Sequence, residues 1–266
     1  RGLRPRTMSR PVLICRPGAR GEALAASLRG QGECVESLDV MQLEAIPEDP
    51  SMRRIWLDID QYQKIIVISP FAATCLGEAL DRYWPQLPVG NDYYSVGSAT
   101  AGTLYDQLGV RVRVPSPAAG EDTSEALLAL ASLQQLHHQR VLLVAGEGGR
   151  PLLAETLTER GAQVTRVAVY RRTLRPLAPA QQARLISGNY RALIVTSSEL
   201  LEHLAKWCNQ AALNQPLIVS SRRLATLAGI LGFCDLKVAS GATPAALIAA
   251  LETCDPQGAD VDQGTY

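Results

Sequence analysis

Neither sign of charge prevails in this chain: its 266 residues carry 26 Lys+Arg against 26 Asp+Glu. A chain without net charge has no bulk attraction for nucleic acid or for an anionic membrane surface, so neither is an expected partner. Only a local basic pocket stays open to it. No apolar run approaches the roughly 18–20 residues of a membrane span, and no signal-peptide core opens the chain. The six cysteines (Cys15, Cys34, Cys75, Cys208, Cys234 and Cys254) contain no Cys-x-x-Cys pair. They read as thiols of a reducing compartment, which points to the cytoplasm. Met8 reads as a natural start, which makes 1–7 an upstream remnant. The tail 255–266 lacks apolar periodicity and reads as mobile.

The signatures of common enzyme chemistries are missing as well. No Gly-x-x-x-x-Gly-Lys-[Ser/Thr] occurs, so a P-loop is excluded. The stretch "VLLVAGEGGRP" (141–151) starts like a dinucleotide fingerprint, with Gly146 and Gly148 spaced correctly, but Pro151 stands where the third glycine belongs. No Gly-x-Ser-x-Gly elbow precedes a histidine. His137 and His138 fall in an expected loop and His203 on a helix, and no His/Cys/Asp group has metal-ligand spacing.

What is present is an ordinary globular balance, 47% hydrophobic and 20% charged, in a chain long enough for one large or two small domains. It is also a repeat. "VLICRPGARGEALAASLRGQGECVESL" from residue 12 aligns with "VLLVAGEGGRPLLAETLTERGAQVTRV" from residue 141, each reading strand, turn, helix, glycine stop, strand. "KIIVISPFAATCLGEAL" (64–80) matches "RALIVTSSELLEHLAKW" (191–207), and "VGSATAGTLYDQLG" (96–109) matches "VSSRRLATLAGILG" (219–232). Each half closes with an expected helix, "TSEALLALASL" (123–133) and "TPAALIAALETC" (243–254), the latter with Thr243 as N-cap and Pro244 in the first turn. Strands such as "KIIVI" and "ALIVT" are apolar throughout, which predicts parallel sheets covered on both faces. The fold class is therefore α/β, with two flavodoxin-like or Rossmann-like domains. The repeat alone suggests a tandem split near residue 137.

In open α/β sheets, ligands bind at the carboxyl ends of the strands beside helix N-termini. The turns there carry Arg16, Ser69, Ser98, Thr100, Gly148, Arg150, Ser197, Ser198, Ser221 and Arg222, with Glu147 and Glu199 almost the only carboxylates. Hydroxyls, amides and arginines together suit an anionic ligand, although each Ser or Thr also reads as a helix cap. Tyr170 in "VAVYRRT" ends an apolar strand ahead of a basic pair. It reads either as a core tyrosine or as a neutral proton donor, since a phenol with an ordinary pKa of about 10 keeps its proton at pH 7.

Taken in order, "RPGARGEALAASLRGQG", "VGSATAGTL", "GEDTSEALL", "LLVAGEGGRPLLAETLTERGAQVTRVAVYRRT", "TSSE", "VSSRRLATLAGILGF" and "ASGATPAALIAAL" resemble the uroporphyrinogen-III synthases over residues 10–254. The resemblance implies two α/β domains, 10–40 with 176–254 and 46–170. Their two-stranded linker would run through "ESLDVMQLEAI" and "TRVAVYRRTLRP", with Tyr170 beside the interdomain cleft. It implies a lyase (EC 4.2.1.75) of haem biosynthesis, which cyclises hydroxymethylbilane, an octacarboxylate, with loss of water and inversion of ring D. Such an enzyme works without cofactor or metal, as a cytoplasmic monomer in transient contact with the preceding deaminase. Thr100 and Tyr170 match positions tied to activity in the family. Some members carry hydroxyls where this chain has Arg222 and Arg223, so Arg222 becomes a carboxylate-binding candidate instead. Two other readings remain: a cytosolic bilobal binding protein or sensor for an anionic small molecule, and a Rossmann-type enzyme using a nucleotide.

Overall fold

A computed structural model describes residues 9–116 and 123–254. The expectations for 1–7 and 255–266, and the first residues of "GEDTSEALL", lie outside these residues. The described residues divide into two compact units, 9–41 with 174–254, and 42–116 with 123–173.

The first unit is built on β1 (Val12–Cys15), β2 (Val35–Ser37), β9 (Ala192–Val195), β10 (Pro216–Val219) and β11 (Asp235–Val238). Its sheet runs β11-β10-β9-β1-β2 with every pairing parallel. Counted along the unit's own chain, that order is 2-1-3-4-5, the flavodoxin-like arrangement. The apolar runs of these strands have a direct cause in their two covered faces. Leu13, Cys15, Leu193 and Val195 face one core cluster, while Val12, Ile14, Ala192 and Ile194 face another.

The second unit holds β3 (Met41–Ala45), β4 (Lys64–Val67), β5 (Asp92–Ser95), β6 (Val112–Arg113), β7 (Arg140–Gly146) and β8 (Gln163–Leu174), in the order β3-β8-β7-β4-β5-β6. Counting from β7 through β8 and then β4 to β6 gives the same 2-1-3-4-5, so this sheet is a circular permutation of the first. Pairing from β8 to β6 is parallel. Two backbone bonds, Arg175 N–H to Val40 and Ile46 N–H to Val169, show β3 and β8 running in opposite directions.

The split near 137 suggested by the repeat is thus not how the chain divides. β1 pairs with β9 rather than with β4, and β7 pairs with β4. Exchanged copies bury the same apolar strand faces as a tandem pair would, so strand pattern carries no information about which copy partners which.

Helix starts follow the sequence closely. Ser69, Ser197, Ser221 and Thr243 each accept the backbone N–H three residues on, and so cap α3 (Pro70–Tyr83), α8 (Ser198–Ala205), α10 (Arg222–Leu231) and α11 (Pro244–Glu252). The expected helix over 123–133 is shorter. α5 (Ser124–Leu128) stops and a 3₁₀ turn follows at Ala131–Leu133. Its free carbonyls are taken by side chains from elsewhere: Gln134 bonds those of Leu128 and Leu130, and Arg160 those of Leu128 and Leu133. No described helix is long and apolar enough to cross a membrane.

Candidate active site

Tyr170 does not end its strand, as the apolar run suggests, but lies inside the twelve-residue β8. The strand continues to Leu174 because β3 pairs alongside it. At Tyr170 the ladder with β7 slips: Ala145 opposes Ala168, but Gly146 opposes Tyr170, so one residue of β8 is passed over. Such a bulge re-aims the side chain that follows it. The phenol ring lies directly over Gly146, where a Cβ would stand 2.6 Å from its Cζ. Only glycine leaves that space.

The ring is 7% exposed and packs edge-on against Phe71, with centroids 5.1 Å apart. Ser69 Oγ donates to Tyr170 Oη at 3.0 Å while accepting the Ala72 N–H that starts α3. One hydroxyl therefore both caps a helix and anchors the phenol. In this arrangement the contact with Ser69 does not use the phenol's own hydrogen.

Beside the ring is a cavity of about 270 Å³, lined among others by Gly146 to Arg150, Arg166, Tyr170 and Arg172. Its floor is the glycine turn between β7 and α6 (Leu152–Glu159). Gly148 and Gly149 have φ of 78° and 89°, the left-handed region that glycine enters without strain. Arg166 Nη2 donates to the carbonyls of Gly146, at 2.7 Å, and Gly148.

The sequence candidates separate into groups. Ser69, Gly148, Arg150 and Tyr170 come together at this one place. Arg150 is exposed and bonded to Glu125 at 2.6 Å, a contact that holds the Glu125 carboxyl below the usual carboxylate range. Ser98 and Thr100 open α4 (Ser98–Leu108) on the same unit but do not line the cavity. Thr100 is buried, 4% exposed.

Arg16, Ser197, Ser198, Ser221 and Arg222 occupy the corresponding strand ends of the first unit. Arg16 donates to the Ala242 carbonyl at 2.5 Å; burial, with Arg20 adding to it, pulls its guanidinium down from the ordinary value. Arg222 is exposed at the first position of α10.

Two lining residues, Arg166 and Arg172, were not among the sequence candidates. Arg166 interrupts the apolar run "VTRVAVY", but it is exposed, so the sequence alone gives its guanidinium no required partner. What it finds, two carbonyls of a turn on the neighbouring strand, is a tertiary fact.

The chain matches the family model described as Uroporphyrinogen-III synthase HemD over residues 22–249. It is 35% identical over 247 residues to the uroporphyrinogen-III synthase of Salmonella typhimurium, covering 91% of this chain and 99% of that one. Against the Escherichia coli K12 enzyme of the same name it is 32% identical over 250 residues, with the same coverage. Among solved structures, the uroporphyrinogen-III synthetase of Helicobacter pylori shares 16% identity, with 91% and 97% of the two chains covered and a TM-score of 0.48.

Proposed function

This chain belongs to the uroporphyrinogen-III synthase family, and on that premise we propose that Tyr170 and the cavity beside it carry its reaction. The activity is the closure of hydroxymethylbilane to uroporphyrinogen III with loss of water and inversion of ring D, a step of tetrapyrrole biosynthesis.

The chemistry asks little of strong acids or bases. As the hydroxymethyl C–O bond breaks, a pyrrole nitrogen lone pair forms the azafulvene and the departing oxygen takes a proton to leave as water. The substituted carbon of ring D then attacks to give a spiro intermediate, which fragments and recloses, and the closing carbon loses a proton. Because the bilane closes without inversion when left in water, the protein's contribution is mostly geometric.

The observation that carries the reading is the Ser69–Tyr170 pair, a phenol anchored through its oxygen at the rim of a cavity lined by arginines. Tyr170 protonates the leaving hydroxyl, which general acid catalysis makes worth about 10²–10⁴ in rate. Ser69 acts through it as a positioning residue. A cavity of about 270 Å³ suits one substituted pyrrole rather than four. On the same unit, backbone amides at helix starts and Ser98 are assigned to further carboxylates. Thr100 is buried in the first turn of α4 and does not line the Tyr170 cavity.

The protein is proposed to act in the cytoplasm as a monomer, taking the unstable bilane from the preceding deaminase. Generating hydroxymethylbilane in situ and resolving the oxidised products by chromatography tests the assignment: the type III isomer exceeds the protein-free control. Equal isomer ratios with and without protein remove it.

A further inference from the structure

Four charged side chains line the Tyr170 cavity: Glu147, Arg150, Arg166 and Arg172. Two of them are already neutralised. Arg150 pairs with Glu125 at 2.6 Å, and Glu147 with Arg171 at 3.7 Å. Arg166 and Arg172 have no carboxylate partner among the described residues. The two carbonyls on Arg166 Nη2 carry only partial charge, and they leave the Nε and Nη1 hydrogens without a described partner. The uncompensated charge of this cavity is therefore positive and belongs to two strand residues.

We propose that Arg166 and Arg172, not Arg150, form the clamp for a substrate carboxylate beside Tyr170; this rests on the reading that the tetrapyrrole reacts in that cavity. Three physical reasons favour the pair. A carboxylate arriving at Arg150 has to displace Glu125, whereas at Arg166 and Arg172 it displaces only water. Arg166 is already held by the glycine turn, so its fork loses little rotamer freedom when an anion binds. Both arginines lie on the strand that carries Tyr170, which fixes the distance between the anchored arm and the proton donor.

The clamp can be measured without turnover, by titrating the protein into uroporphyrin III, the stable oxidised form of the product, and following its fluorescence. Arg172→Gln and Arg166→Gln should each weaken binding about tenfold, the loss of one charged hydrogen-bond donor at a partly exposed site. Arg150→Gln should stay within about twofold of wild type. Arg166→Lys, which keeps a cation able to reach both carbonyls, should recover most of the affinity. Arg172→Gln leaves the glycine turn untouched, so its effect separates anion binding from damage to the turn.

Equal binding by wild type, Arg166→Gln and Arg172→Gln overturns the clamp, as does an Arg150→Gln loss matching theirs. The isomer assay on the same preparations judges the reaction separately. Type III product with no arginine effect removes the clamp and leaves the reaction. The arginine pattern without type III excess removes the reaction and leaves an anion site.

Discussion

Tyr170 is held by contacts of two kinds, an edge-on packing against Phe71 and a hydroxyl bond from Ser69, and only the second bears on its chemistry. Tyr170→Phe keeps the packing and deletes the proton. Turnover should fall about 100-fold, while the melting temperature stays within about 4 °C, because a single hydroxyl pair contributes about 1 kcal/mol. Wild-type turnover in that variant removes the tyrosine from the mechanism. This residue was legible in the sequence as a candidate, a lone polar aromatic at the head of "YRR". Its anchor was not: Ser69 reads as a helix cap from "SPF", and it is a cap, but the second partner of its hydroxyl comes from a strand a hundred positions away. Arg150 illustrates the reverse. Its place in the glycine turn makes it a candidate in the sequence, and the structure pairs it with Glu125.

At the scale of elements, the feature that places Tyr170 is the slip between β7 and β8. The bulge turns the phenol over Gly146, and a methyl group there meets the ring at 2.6–2.9 Å from its Cζ, Cε2 and Oη. Gly146→Ala should displace the ring from Ser69, lowering stability by about 1–3 kcal/mol as overpacking does and reducing turnover to the level of Tyr170→Phe. In the Tyr170→Phe background the same change should add little to the activity loss, since the two act through one group. A kinetic comparison of the two single variants and the double variant checks this, and additive losses refute it. The glycines of "GEGGRP" were visible as a turn opening a helix, and Pro151 showed that the turn is not of the dinucleotide kind. That the first of them makes room for an aromatic ring depends on the bulge, which no local pattern encodes.

For the whole molecule, both cores hold titratable groups that burial pushes up, Tyr93 of the second unit among them. In the first unit, burial, with Asp39 adding to it, pushes the Cys15 thiol up to about 12. Burial alone pushes Cys208 up to about 12, and the Tyr190 phenol is raised as well. A thiol whose pKa is higher folded than unfolded stays protonated in the native state while the unfolded chain loses its proton. Stability is therefore full below the ordinary thiol value of about 9 and falls as pH rises toward 12. The two thiols together should remove about 2 kcal/mol between pH 9 and 10. Urea midpoints measured across that range should drop for wild type and drop less for Cys15→Ala/Cys208→Ala, whatever the double variant's stability at pH 8. Parallel curves contradict this account.

The sequence by itself determined the alternation of strands and helices, the covered faces of the sheets, the caps at Ser69, Ser197, Ser221 and Thr243, and the existence of two copies of one βα pattern. These follow from periodicity and short-range hydrogen bonding, which act within a few residues. Tertiary structure alone decided that β1 joins β9 and β7 joins β4, that Ser69 meets Tyr170, and which arginines find a carboxylate partner. Those outcomes turn on which distant groups are brought within a few ångströms, and two copies with equivalent apolar strands leave that choice open until the chain is packed.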